Sequence, residues 1–197
     1  MDLVLASGSP RRRDLLTALG LVFDVVLPDV DETPLPQEAP VDYVRRVADA
    51  KARAGHRPGA LTIAADTTVV LDGEILGKPA DPIEAVSMLT RLSGRTHVVH
   101  TAVTGMASAF GGTPEVRGAV ATAEVTIVEL SATSIRRYVA TGEPLDKAGA
   151  YGLQGIGGQF VSGVRGDPSA VVGLPLALLR TTCLDLGVDL LELAGRP

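Results

Sequence analysis

Residues 3–13 read LVLASGSPRRR, and this stretch predicts how the fold begins. The apolar run at residues 2–7 is typical of a buried strand. Pro10 suits the first position of a helix that ends at Gly20, with Ser9 as its N-cap. A strand that passes directly into a helix is typical of α/β proteins.

Further along the chain, strand-like and helix-like segments are mixed without a strict alternation. Strands are predicted at residues 21–27, 61–71, 74–76, 96–108 and 115–129, and helices at 41–54, 82–92, 131–141 and 174–186. Gly111 and Gly112 predict a hairpin turn between the last two strands, and the glycine-rich residues 149–166 predict irregular backbone. We therefore expect an α/β fold with a mixed sheet and flanking helices, formed by a single domain at 1–197 whose two lobes share one core.

Composition excludes several classes of protein. The chain has 197 residues, of which 46% are hydrophobic and 21% charged, so it is globular. No apolar run reaches the roughly 18 residues that span a bilayer, and the first residues have no basic region typical of a secretory signal. The net charge of −5 argues against a nucleic-acid coat. A single cysteine excludes an internal disulfide and fits a reducing cytoplasm.

The turn between the first strand and helix is a candidate anion site. The free N–H groups of a helix start attract anions, and Gly8 keeps the turn small. Arg11, Arg12 and Arg13 stand in the first helical turn, where the helix dipole favours acids instead. An anionic ligand would compensate for this charge, and the alternative is a solvated basic turn.

Asp66 interrupts the apolar strand TIAADTTVV at residues 62–70. Because burying an unpaired carboxylate is expensive, a general base or a metal ligand at a cleft would explain it. The alternative is a strand end or bulge where the carboxylate reaches water. Glu32 lies in an acidic, proline-rich loop. It is a candidate functional residue only if it binds a divalent cation together with Asp66.

The 18 basic residues include only three lysines: Lys51, Lys78 and Lys147. Lys51 continues the apolar stripe of its helix, and the other two lie in turns. We interpret them as phosphate contacts, against the alternative of snorkelling or surface ion pairs. Gln154, in the sequence YGLQG, could present a donor and an acceptor to a base edge, although the segment also fits an ordinary glycine-rich loop.

Known nucleotide motifs are missing, but a series of short motifs is present. The chain has no Walker-type loop, dinucleotide fingerprint or nucleophile elbow. It carries LASGSPRR at 5–12, DE at 31–32, AKA at 50–52, ADT at 65–67, GKP at 77–79, SGRTH at 93–97, GEP at 142–144, DKAGAYG at 146–152 and VGLP at 172–175. In this order, over most of the chain, they resemble the Maf nucleoside triphosphate pyrophosphatases.

The resemblance implies a cytoplasmic enzyme that uses Mg²⁺ or Mn²⁺ to hydrolyse a nucleoside triphosphate to the monophosphate and pyrophosphate. It also implies a two-lobed fold around a cleft and allows a homodimer. Asp66 matches the family's proton acceptor, and with Glu32 it is the expected metal site. The residues expected to bind the phosphates are Ser7, Ser9, Arg11, Arg12, Lys51 and Lys78.

Base preference in this family follows three positions, which here are Arg11, Thr67 and Gln154. They resemble the branch that acts on dTTP and UTP in house-cleaning of the nucleotide pool. The sequence GDPS at residues 166–169 is instead closer to the branch that acts on 7-methyl-GTP. Two alternatives therefore stay open: a pyrophosphatase for modified nucleotides such as 7-methyl-GTP, and a nucleotide-binding regulator of septum formation that would not need Asp66.

Overall fold

The computed structural model describes residues 1–108 and 112–195. The chain divides into two compact units. The first unit is drawn from Met1–Asp66, Thr101–Ala121 and Gly173–Pro197, and the second from Thr67–His100 and Thr122–Val172. Gly111, at the predicted hairpin turn, lies outside the described residues. The arrangement of two lobes around a cleft stays a prediction.

The strands form one mixed sheet, as predicted. They are β1 (Asp2–Ala6), β2 (Asp24–Val26), β3 (Ala60–Leu71), β4 (Glu74–Leu76), β5 (Thr96–Ala107), β6 (Glu115–Ile127) and β7 (Val161–Arg165). Their order is β2-β1-β3-β5-β6-β7, with β4 paired to β3. β1 runs parallel to β2 and β3, whereas the β3–β4 and β6–β7 pairs are antiparallel.

Helices connect these strands, which confirms the α/β class. They are α1 (Pro10–Ala18), α2 (Pro40–Ala54), α3 (Pro82–Leu92), α4 (Ala132–Val139), α5 (Pro168–Val172), α6 (Leu176–Leu184) and α7 (Leu190–Leu193). Short 3₁₀ helices span Glu143–Asp146, Ala148–Ala150 and Ile156–Phe160. In the described part of the chain, no helix is both long and apolar enough to cross a membrane.

Three predictions were wrong in detail. β2 has three residues instead of the seven expected at 21–27. The glycine-rich segment is not wholly irregular, because β7 pairs with β6 there despite having only two apolar residues. The single final helix expected at 174–186 begins later, after Pro175, and α5 and α7 were not predicted. Pairing with a distant strand and breaks at proline decide these features.

Packing in the first unit positions the predicted anion turn. Leu5, Leu16, Ile63 and Leu179 share one buried apolar cluster, which holds α1 against the parallel strands. Gly55, just after α2, approaches β1 closely, since a Cβ there would lie 2.5 Å from the Ala6 side chain. These contacts fix the ends of the elements from which the turn and Asp66 project.

Helices α3 and α4 of the second unit contribute to one buried apolar cluster. Leu89, Ile135 and Tyr138 are buried in one cluster. Asp81 and Ser131 cap the two helices through hydrogen bonds from backbone amides. The same cluster includes Ala150, Tyr151 and Phe160, so the glycine-rich segment that follows α4 packs against these helices.

Candidate active site

Asp66 lies inside β3, and its side chain meets a lysine. Lys51 Nζ donates to Asp66 Oδ1 at 2.8 Å and pairs with Glu32 Oε1 at 2.9 Å. Asp66 is only 6% exposed, so the alternative of a strand end that reaches water is wrong. Glu32 and Asp66 do approach a common point, and the Lys51 ammonium joins them.

Helix α2 explains why a lysine is buried here. Its inward stripe of Val44, Val47 and Ala48 is fully buried, and Lys51 is the next residue on that face. The aliphatic stem of Lys51 therefore packs like an apolar side chain, and its ammonium reaches the two carboxylates. A buried ion pair of this kind contributes little net stability, but removal of either partner is costly.

The environment of Asp66 changes its acidity. Burial raises the pKa of Asp66, while the nearby Lys51 and Arg12 charges oppose this effect and Glu32 adds to it. The pKa of Asp66 stays above its ordinary value. A carboxylate whose pKa is raised is a better proton acceptor near neutral pH, because Brønsted behaviour favours a base with a pKa close to the working pH.

The turn at the start of α1 is organised by Ser7 and Arg12. Arg12 is 8% exposed, and its Nε donates to the Gly173 carbonyl at 2.8 Å while Nη1 donates to Ser7 Oγ at 3.0 Å. The Ser9 amide also donates to Ser7 Oγ, at 3.2 Å. Ser9 stands at the N-cap position, but its hydroxyl caps no amide. The side chain that shapes this turn is therefore Ser7 rather than Ser9.

Two residues that contact the Asp66 and Arg12 region, Tyr43 and Gly173, were not predicted from the sequence. Tyr43 Oη donates to the Glu32 carbonyl at 3.0 Å and holds the acidic loop against α2. Burial, followed by the Asp66 and Glu32 charges, raises the pKa of Tyr43 to about 12. Gly173 contributes only its carbonyl to Arg12. The VGLP motif marked that segment, but no side-chain pattern could assign it a role.

The remaining predicted residues belong to the second unit, apart from Arg11, which is half-buried on α1. Thr67 follows Asp66 directly and is half-buried, whereas Lys78 and Gln154 are exposed. The interpretation of Lys147 as a phosphate contact stays a prediction. The Lys147 ammonium donates to the Glu143 carbonyl and to Asp146 Oδ1, both at 2.6 Å, and so has partners within its own loop.

The donor set around Asp66 fits a divalent cation that also binds substrate. Within residues 1–108 and 112–195, no group of three or more His, Cys, Asp or Glu side chains could hold a metal by itself. Glu32 and Asp66 nevertheless provide two carboxylates at one point. Mg²⁺ is commonly bound by one or two carboxylates together with substrate phosphates, which is the arrangement this pair allows.

Comparison with known proteins now settles the family. A family model described as Maf-like protein matches residues 2–185. The chain belongs to the Maf family. This confirms the resemblance that the ordered motifs indicated.

Similar Maf proteins carry a functional name. The dTTP/UTP pyrophosphatase of Anaeromyxobacter dehalogenans is 57% identical over 175 residues, covering 89% of each chain. That of Myxococcus xanthus is 52% identical over 197 residues, covering 99% of this chain and 93% of the relative. That of Escherichia coli O157:H7 is 48% identical, covering 89% and 88%. Among solved structures, the Staphylococcus aureus Ham1 protein matches with a TM-score of 0.46 at 16% identity, covering 94% and 95%.

Proposed function

We propose that this Maf protein hydrolyses dTTP and UTP to the monophosphate and pyrophosphate, and so removes these nucleotides from the pool. The relatives named dTTP/UTP pyrophosphatase support the substrates. The observation that carries the proposal is the buried Asp66 carboxylate, held by Lys51 with Glu32 beside it. A protein that only binds nucleotide has no need for a buried carboxylate with a raised pKa at this point.

Asp66 accepts the proton of the attacking water in this proposal. Lys51 donates to Oδ1, which leaves Oδ2 as the oxygen that takes the proton. Glu32 and Asp66 would hold a divalent cation, Mg²⁺ or Mn²⁺, which lowers the pKa of bound water and neutralises phosphate charge. Attack at the α-phosphorus then breaks its bond to the bridging oxygen, and pyrophosphate leaves.

Cationic side chains stabilise the charge that develops on the leaving pyrophosphate. We assign this role to Arg12 and Lys51, with Arg11, Lys78 and the Ser7–Ser9 turn as further phosphate contacts. Arg12 is held by the Gly173 carbonyl and Ser7 Oγ, so its guanidinium is oriented before substrate binds. Pre-orientation of this kind lowers the reorganisation needed in the transition state.

Base recognition is assigned to Arg11, Thr67 and Gln154. Gln154 carries both a donor and an acceptor, which suits the complementary edge of uracil or thymine. The resemblance to Maf enzymes also supports a homodimer and a cytoplasmic location. Size-exclusion chromatography with light scattering tests the first, and a fluorescent fusion tests the second.

A nucleotide panel tests the proposal directly. Purified protein is incubated with Mg²⁺ or Mn²⁺ and dTTP, UTP, CTP, GTP, ATP or 7-methyl-GTP, and the products are separated chromatographically. We expect monophosphate and pyrophosphate from dTTP and UTP, and none when the metal is chelated. Preference for 7-methyl-GTP would keep the reaction but overturn the base assignment. Binding without turnover of any nucleotide would favour the regulator instead.

A further inference from the structure

The Glu143 carboxylate joins two distant parts of the second unit. Its Oε1 accepts hydrogen bonds from Tyr138 Oη at 2.9 Å and from the Gly157 amide at 3.0 Å. Its Oε2 accepts from the Ile156 amide at 2.9 Å. Gly157 and Ile156 follow Glu143 by 14 and 13 residues, so one side chain closes the whole glycine-rich loop.

The loop backbone is built to approach this carboxylate. Gly155 has a φ of +99°, and a Cβ there would lie 3.0 Å from Glu143 Oε2. A Cβ on Gly157 would lie 2.5 Å from Tyr138 Oη. Both positions therefore need glycine, because a side chain would push the amides away from the group that they contact.

Glu143 is held as an anion. Partial burial opposes ionisation, but the amides of Gly157 and Ile156 and the Tyr138 hydroxyl outweigh it, so the pKa of Glu143 lies below its ordinary value. At neutral pH the group can only accept hydrogen bonds. Lys147 also holds Glu143 in place, because its ammonium donates to the Glu143 backbone carbonyl.

We infer that Glu143 is a positioning residue that orients Gln154 for recognition of the nucleotide base. Gln154 is exposed and immediately precedes Gly155 and Ile156, so its backbone direction follows the segment that Glu143 holds. This inference rests on the proposed function, which assigns Gln154 to the base. It adds a residue that governs specificity without touching the substrate.

The substitution Glu143→Gln tests this role with almost no change in shape. A glutamine has one acceptor oxygen and one NH₂ donor, so it places a donor against either the Ile156 or the Gly157 amide. We expect the ratio of kcat/KM for UTP to that for CTP to fall about tenfold. The reason is that one loop amide loses its acceptor, which loosens the loop. The change should appear mainly in KM, because the Asp66 cluster is untouched.

Matched variants separate positioning from general damage. Glu124→Gln makes the same chemical change on β6, where the carboxylate pairs with the exposed Arg165, and should keep the wild-type ratio. Tyr138→Phe removes one donor but leaves both amides bonded, so its effect should be smaller. Gln154→Ala should lower the ratio, and adding Glu143→Gln to it should lower the ratio little further.

The outcomes distinguish this inference from the proposed function. An equal loss of activity on every nucleotide, with an unchanged ratio, would make Glu143 merely structural and overturn the inference while leaving the function intact. Additive effects of Glu143→Gln and Gln154→Ala would overturn it in the same way. Wild-type protein that releases no pyrophosphate would overturn the proposed function and, with it, this inference.

Discussion

Asp66 and Glu143 both carry a carboxyl group, yet the fold gives the two groups different surroundings. Asp66 lies within β3, where burial raises its pKa and one ammonium faces it. Glu143 begins a 3₁₀ helix, where two amides and a hydroxyl together lower its pKa. The first environment suits a group that must exchange a proton, and the second suits a group that must stay charged.

The difference lies in what surrounds each oxygen. Backbone amides are fixed donors that favour the charged form permanently, so Glu143 serves as a rigid anchor. Burial favours the neutral form of Asp66 and outweighs the opposing Lys51 ammonium, so protonation of Asp66 requires less free energy. The neighbouring groups, rather than the residue type, therefore decide that Asp66 suits a base and Glu143 suits an anchor.

The sharpest test of this contrast is Asp66→Asn. It removes the proposed base while keeping the shape, so kcat for dTTP and UTP should fall by at least ~10²-fold in a pyrophosphate-release assay. Asp72→Asn is the matched control, because Asp72 lies in the turn after β3 and pairs with the exposed Arg95. Turnover close to wild type in Asp66→Asn would end the assignment of Asp66.

Lys51→Met tests the buried ion pair. It leaves Asp66 buried without its main partner and should lower the free energy of unfolding by about 2 kcal/mol at pH 8, since protonation of Asp66 limits the larger penalty of an unpaired charge. Chemical denaturation measures this loss. Lys78→Met, at an exposed position, is the control and should unfold like the wild type.

The same variant should show a defined pH dependence. Burial holds the pKa of Asp66 above its value in the unfolded chain, and loss of Lys51 raises that pKa further. The folded state then binds a proton at higher pH than the unfolded state, so its stability rises as pH falls through the folded pKa. A loss that is equal at pH 5 and pH 8 would contradict this account.

Gly157→Ala tests the anchor at Glu143. The added Cβ would lie 2.5 Å from Tyr138 Oη, so the loop must shift, and unfolding should become easier by about 1–2 kcal/mol. Gly163→Ala, on β7, is the control because a Cβ there meets nothing within 4 Å. Equal thermal denaturation midpoints for the two variants would show that the loop is not tightly packed.

Glu32→Gln should have its smallest effect on the pH profile, measured with enough Mg²⁺ or Mn²⁺ to offset the lost metal ligand. The Glu32 charge is the weakest of the influences that raise the pKa of Asp66, so its removal should move the acidic limb of the kcat/KM profile slightly to lower pH. The wild-type limb is measured beside it under saturating metal. A shift to higher pH would contradict the proposed role of Asp66 as the titrating base.

Local pattern predicted much of this molecule. The start of α1 at Pro10 and the apolar stripe that ends at Lys51 were both predicted, because each depends on neighbours within one or two helical turns. Strand β7 could not be predicted from the sequence, because its pairing with β6, rather than its own composition, makes it a strand.

The sequence by itself determined which residue types were available for chemistry: an acid within an apolar strand, a lysine on an apolar helix face and a cluster of arginines at a helix start. Only the tertiary structure decided what they contact. Arg12 meets a carbonyl 161 residues away, Lys51 meets Asp66 across 15 residues, and Glu143 meets amides in a loop of glycines. Periodicity is a property of neighbouring residues, whereas the polar partners of a buried charge depend on how distant elements pack.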